Sequence, residues 1–247
     1  MEESLLSLYE NGSDQTHIRP FVGEAFRSPT SKFLRVMAIG INAYVSPEDW
    51  SSIDPDWFYN WAKNRNDGFY EQAHLDAKTL ASALCEGSEY FEKYEYVEPN
   101  SLYVTNAVKE YLPEEIGKSS DDVPRSYFEK GAEIWERELD ILAKYNALPH
   151  LVIVFGSQVW PHACDSLRVE EGKIEYKNFS IDEYNHTSGP CLHFANRIEV
   201  SVDGNSQNIL LARCHHPSAY KREVIPEWLL NQSDFCQLAG IEGGDAP

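Results

Sequence analysis

Short apolar runs alternate with amphipathic stretches along much of the chain, and the two patterns predict strands and helices in alternation. Residues 32–39 (KFLRVMAI), 102–105 (LYVT) and 151–155 (LVIVF) are mostly apolar runs of strand length. Such runs suit strands covered on both faces. Between them, 70–84 sets Ala73, Ala77, Leu80, Ala81 and Leu84 on one helical face. Residues 126–145 do the same with Phe128, Ala132, Trp135, Leu139 and Leu142, leaving Glu and Lys opposite. Gly156 predicts a turn into a helix reaching about 167, and Pro226 opens a last helix through 238. Residues 198–202 and 208–213 flank Asp203-Gly204-Asn205 and read as a hairpin whose second arm is apolar enough for a core strand. A short helix is predicted near 2–9, and the rest of 1–31, with its Gly, Ser, Pro and Asp, reads as an irregular lead-in. Residues 45–68 and 168–195 read as long loops, a kind of segment that tends to be functional.

The alternation predicts an α/β fold: a three-layer α/β/α sandwich with a central, mostly parallel sheet of about four strands, in one domain over 1–247. Ligands of such sheets bind beyond the carboxyl ends of the strands. The residues just after each strand are therefore the ones to read. They are Gly40-Ile41-Asn42-Ala43-Tyr44, Asn106 within Thr105-Asn106-Ala107-Val108-Lys109, Gly156-Ser157-Gln158, and His215-His216-Pro217-Ser218-Ala219-Tyr220.

Composition narrows the chemistry. The chain of 247 residues is 42% hydrophobic and 13% aromatic, which supplies a core and excludes a disordered polymer. No run approaches the ~18 apolar residues of a membrane span, and the first residues lack the pattern of a signal peptide. The expectation is a cytoplasmic chain, nuclear in a eukaryote, with no membrane partner. Five cysteines stand at 85, 164, 191, 214 and 236 without a C-x-x-C pair. Cys214-His215-His216 are adjacent, and adjacent residues rarely aim at one metal, so neither metal nor cofactor is expected.

The formal charge is −19, from 21 basic and 40 acidic residues, which argues against a general nucleic-acid coat. The charge is uneven. Residues 86–140 hold 15 acids and 6 bases, whereas 207–222 hold three bases (Arg213, Lys221, Arg222) and no acid. No Asp or Glu stands directly at these four strand ends, and G-x-S-x-G, P-loop and G-x-G-x-x-G signatures are all missing. The strand ends carry amides, histidines and aromatics instead. An Asn amide presents a donor and an acceptor side by side, and a His can stabilise charge developing on a carbonyl oxygen.

GINAY, VTNAVK and HHPSAY, in that order and each following a strand-like run, resemble the motifs of the uracil-DNA glycosylase superfamily. The resemblance spans roughly 33–235. Ala43 stands where the family's first motif has Pro, and Asn42 where its most active branch has a carboxylate. The resemblance implies a monofunctional glycosylase that flips a uracil nucleotide out of DNA and hydrolyses its N-glycosidic bond. It gives Asn42 the attacking water, Asn106 the Watson–Crick edge of the base, and His216 the pyrimidine O2. Tyr44 lies beside C5, where it rejects the methyl of thymine, and Phe69, ahead of Tyr70 and Phe58, is the choice for stacking on the base. Ser218, Tyr220, Lys221, Arg222 and Arg213 are the implied DNA contacts, with Tyr220 wedged into the duplex. Two other readings stand beside it: a glycosylase for a modified pyrimidine, as in foreign DNA, and a non-catalytic binding protein that kept the fold. In the latter, the acidic 86–140 face is the surface for a protein partner.

Overall fold

A computed structural model describes residues 1–10, 20–28, 32–41, 77–78, 80–81, 85, 92–97, 100–110, 112, 116, 123–156, 158–167, 192–202 and 205–214. The chain is mixed α/β, built on a mostly parallel sheet. Its strands are β1 (Phe21–Val22), β2 (Val36–Gly40), β3 (Leu102–Asn106), β4 (Leu151–Phe155), β5 (Leu192–Val202) and β6 (Asn205–Cys214). They lie in the order β1-β3-β2-β4-β6-β5. The inner four, β3-β2-β4-β6, run parallel, and β1 and β5 close the two edges antiparallel. The four parallel strands match the number expected, and the antiparallel edges extend the sheet beyond it.

Every residue of β2, β3 and β4 is buried; β2 and β4 are apolar throughout, and β3 ends on the buried polar pair Thr105 and Asn106. One face of the sheet, including Met37, Ile39, Tyr103, Val152, Val154, Ile209 and Leu211, packs in a cluster with Leu5, Phe128, Trp135, Leu139, Leu142, Val159 and Ala163. These last residues come from helices α1 (Glu2–Glu10), α3 (Arg125–Lys144) and α4 (Val159–Ser166). The alternate positions Val36, Ala38, Val104, Ile153 and Ala212 are buried too. Ala77, Leu80 and Ala81 are helical and buried within the helix predicted over 70–84. Among the described residues no helix is long and apolar enough to cross a membrane.

Several boundaries differ from the pattern reading. The lead-in is not irregular throughout: β1 joins the sheet edge, and α2 (Glu24–Arg27) buries Ala25 and Phe26, the latter tilted against Tyr103 at 5.4 Å. The first apolar run enters the sheet only at Val36. Before that, the Leu34 amide donates to the Glu95 carbonyl at 2.7 Å and Phe33 bridges Glu95, so the chain is paired outside the sheet. The hairpin is longer than predicted, since β5 starts at Leu192 inside the expected loop and shifts register between Ala195 and Ile198. The loop at 45–68 and the helix at 226–238 lie outside the described residues.

Helix α3 ends by a specific device. Asn146 takes a left-handed φ of 55°, a conformation that Asn tolerates better than most residues. The amides of Asn146 and Ala147 then donate back to Ala143 and Leu142 at 3.0 and 2.7 Å, which satisfies carbonyls the helix end leaves free. The chain turns directly into β4.

At the amino end of the sheet, the Nδ1 of buried His150 accepts the Arg35 amide at 3.0 Å. The Arg35 guanidinium donates to the Leu148 carbonyl at 2.7 Å and to Gln207 at 3.1 Å. Burial first, then the charges of Arg35 and Lys93, push the imidazole down from 6.5 to about 2. The folded state thus holds the neutral ring. Its contribution to stability is complete above the unfolded value and is lost as pH falls below ~6.5, by about 1.4 kcal/mol per unit. Urea midpoints are expected to drop between pH 7 and 4. The drop should be shallower in His150→Asn, whose amide oxygen can accept the Arg35 N–H without titrating. Equal slopes in the two proteins would contradict this assignment.

Candidate functional site

The parallel register levels four strand ends on one rim. Gly40 pairs with Asn106, Ile39 with Val154, and Phe155 with Cys214. From Asn106 to Cys214 the rim spans three strand spacings, about 14 Å. The connection leaving β2 goes to β3 on one side, while β4 and β6 lie on the other, so the strand order reverses between β2 and β4. That reversal is where ligands of open α/β sheets bind. GINAY starts on one side of it at Gly40, and Gly156-Ser157-Gln158 starts on the other. Gly156 has a φ of 100°, which a side chain would oppose, and this lets β4 turn sharply into α4.

Of the residues to which the resemblance gives a role in the site, two are described. Asn106 closes β3 and is 4% exposed, and its Oδ1 is buried with no hydrogen-bond partner among the described residues. A buried acceptor left unpaired costs about 1–3 kcal/mol. This one lies at a strand end on the rim where the strand order reverses. Arg213 is half-buried near the end of β6, opposite Val154. Asn42, Tyr44, Phe69, His216, Ser218, Tyr220, Lys221 and Arg222 lie outside the described residues. Among those described, no three His, Cys, Asp or Glu side chains gather as metal ligands.

The backbone beyond the paired ends stays tied together. The Ala107 amide donates to the Gly40 carbonyl and the Val108 amide to the Ile41 carbonyl, both at 2.8 Å. The chain on its way to Asn42 is therefore held against the chain that carries Asn106. Helix α3 presses on the same segment through Gly131. A Cβ there would overlap the Ala107 carbonyl oxygen and sit 3.0 Å from its carbon. In an exposed helix, Gly→Ala gains about 1 kcal/mol. Here the sign is reversed, because overpacking costs about 1–3 kcal/mol and the atom in the way is backbone. Gly131→Ala is expected to lower the melting temperature, and a rise would contradict the close approach.

Pattern reading missed a buried polar cluster under this segment. Lys109 Nζ donates to Glu138 Oε1 at 2.8 Å, to the Tyr9 hydroxyl at 3.5 Å, and to Thr105 Oγ1. Tyr9 in turn donates to Glu138 Oε1, and Thr105 to its Oε2 at 3.4 Å. The side chains of Lys109 and Glu138 are fully buried. The three ammonium protons thus meet three oxygens, and both hydroxyls pass their own protons on to the carboxylate. Burial pushes Lys109 well below its ordinary value and Glu138 well above its own. Their mutual attraction opposes both shifts. Glu138 is consequently a member of the buried face of α3, not of the polar face on which the helical pattern placed it, and it is no part of an acidic 86–140 surface. The signal was available: Glu138 lies three residues after Trp135 and four before Leu142, in line with both.

No protein-family profile matches this sequence, and comparison with curated proteins finds no significant relative.

Proposed function

We propose that this chain is a monofunctional DNA glycosylase that hydrolyses the N-glycosidic bond of uracil, with the three-layer α/β/α arrangement as its scaffold. The observation that carries the reading is the buried Asn106 Oδ1 at the end of β3, without a hydrogen-bond partner among the described residues and held one strand from the chain that leads into Asn42. Uracil offers an N3–H donor beside an O4 acceptor, which complements an amide. Cytosine offers a lone pair at N3, which an orphaned acceptor repels.

In this reading the nucleotide is flipped onto the rim. Asn42 orients a water whose oxygen bonds the sugar C1′ as the C1′–N1 bond breaks, and the proton that water gives up ends on the released base. The electron pair leaves with the base, and His216 stabilises the charge at O2. Phe69 stacks on the ring and Tyr44 bars a 5-methyl group. Ser218, Tyr220, Lys221, Arg222 and Arg213 hold the strand in a small basic patch of an otherwise acidic protein. Lys109 is no nucleophile, since its ammonium is enclosed and already bonded to three oxygens. The acidic 86–140 segment, without Glu138, remains the surface for a protein partner.

End-labelled oligonucleotides carrying uracil, thymine or 5-hydroxymethyluracil, treated with alkali after incubation, test this. Uracil strands should be cleaved and thymine strands spared, and Tyr44→Gly should extend excision to thymine. A pocket methyl is ordinarily worth about 1–3 kcal/mol, so a 10-fold or larger gain on thymine is expected. Preference of the wild type for 5-hydroxymethyluracil would replace uracil with a modified base as substrate. Intact strands throughout would refute the reading.

A further inference from the structure

The buried cluster of Tyr9, Thr105, Lys109 and Glu138 joins three parts of the molecule that the sequence keeps far apart. Tyr9 comes from α1 and Glu138 from the middle of α3, while Thr105 and Lys109 bracket Asn106 and Ala107. Thr105 precedes Asn106 directly and Lys109 follows it by three residues. Both ends of the segment that presents the amide are thus bonded to one carboxylate. From the helix side, Gly131 admits the Ala107 carbonyl at a distance no other residue would allow. From the sheet side, the amides of Ala107 and Val108 bind the carbonyls of Gly40 and Ile41. The segment is fixed from both sides, and it carries a buried acceptor that no described residue uses.

A cluster needed only for cohesion could as well have been apolar, because well-packed hydrophobic side chains often replace a buried ion pair at no loss of stability. Directed bonds from a single carboxylate do something apolar packing does not: they set a position. We propose that Tyr9, Thr105, Lys109 and Glu138 are positioning residues that set the backbone after β3, and the Asn106 amide with it, against the chain leaving β2. The N-terminal helix is then part of the support of the site through Tyr9. The consequence for base recognition rests on the reading of Asn106 given above, while the positioning itself does not.

The test compares the folded wild type with two variants: Tyr9→Phe, which deletes one hydroxyl, and Lys109→Met/Glu138→Leu, which removes both charges together and leaves neither stranded. Through-hydrogen-bond couplings in the magnetic resonance spectrum, from the Ala107 nitrogen to the Gly40 carbonyl and from the Val108 nitrogen to the Ile41 carbonyl, report bond length in the native state. They are insensitive to how stable that state is. Both couplings should shrink in both variants, while those between the paired strands β4 and β6 stay unchanged. Excision of uracil at saturating DNA should fall about 10-fold, the effect of roughly 1.4 kcal/mol lost in the transition state, with DNA affinity unaltered. Unchanged couplings at Ala107 and Val108 would overturn the proposal and leave the cluster a matter of cohesion alone. A wild type that excises no uracil would refute the glycosylase reading, and the couplings would still decide this one.

Discussion

Asn106→Ala is expected to lower uracil excision by about 10²–10³-fold while leaving the fold intact, because it deletes a contact of the kind that preorganised donors and acceptors supply to a transition state. The folded protein should not suffer. Oδ1 has no described partner to lose, so the substitution removes an orphaned buried acceptor, and melting temperature should hold or rise. That combination, large loss of rate with no loss of stability, separates a reading group from a structural one. His216→Ala and Asn42→Ala are expected to show rate losses of the same order, the first through the departing base and the second through the water. Wild-type rates in all three variants would show that the site lies elsewhere.

Lys109→Met is expected to destabilise the protein by about 3–5 kcal/mol, since it leaves the Glu138 carboxylate buried without its ammonium. Adding Glu138→Leu to it should recover most of that stability. The recovery is the informative part: two substitutions that are each harmful alone and mild together measure coupling, not two separate insults. Urea unfolding of the single variants and the double variant gives the coupling directly. Single variants that simply add would contradict the bonded pair.

Much of the fold was legible because burial on both faces of a parallel sheet favours apolar runs: 151–155 carries one throughout, and 102–105 carries one up to Thr105. The helix at 125–144 declared itself by its repeat. What the pattern could not carry was information held between distant segments. Two residues, Phe21 and Val22, have no period, and only pairing with Val104 and Tyr103 makes them a strand. The first half of β5, around His193 and Asn196, mixes polar and apolar residues because it is an antiparallel edge, so it read as loop. Glu138 read as a surface charge because it is polar alone, and only its meeting with Lys109 across 29 residues permits its burial. Candidate site residues fared by the same rule. Asn106 was legible as the residue that ends a strand. Its place beside the chain entering Asn42 follows from the Gly40–Asn106 register, which no local pattern contains, and the burial of its side-chain oxygen without a partner among the described residues is likewise set by tertiary packing.

Mass spectrometry of the products formed from a uracil-containing oligonucleotide, single- and double-stranded, without alkali, decides whether this chain is a glycosylase. Free uracil is expected in amounts equal to an unbroken strand with one abasic site, and neither product from Asn106→Ala on the same timescale. Uracil still attached to its strand after many hours of incubation with folded wild-type protein would contradict the glycosylase reading.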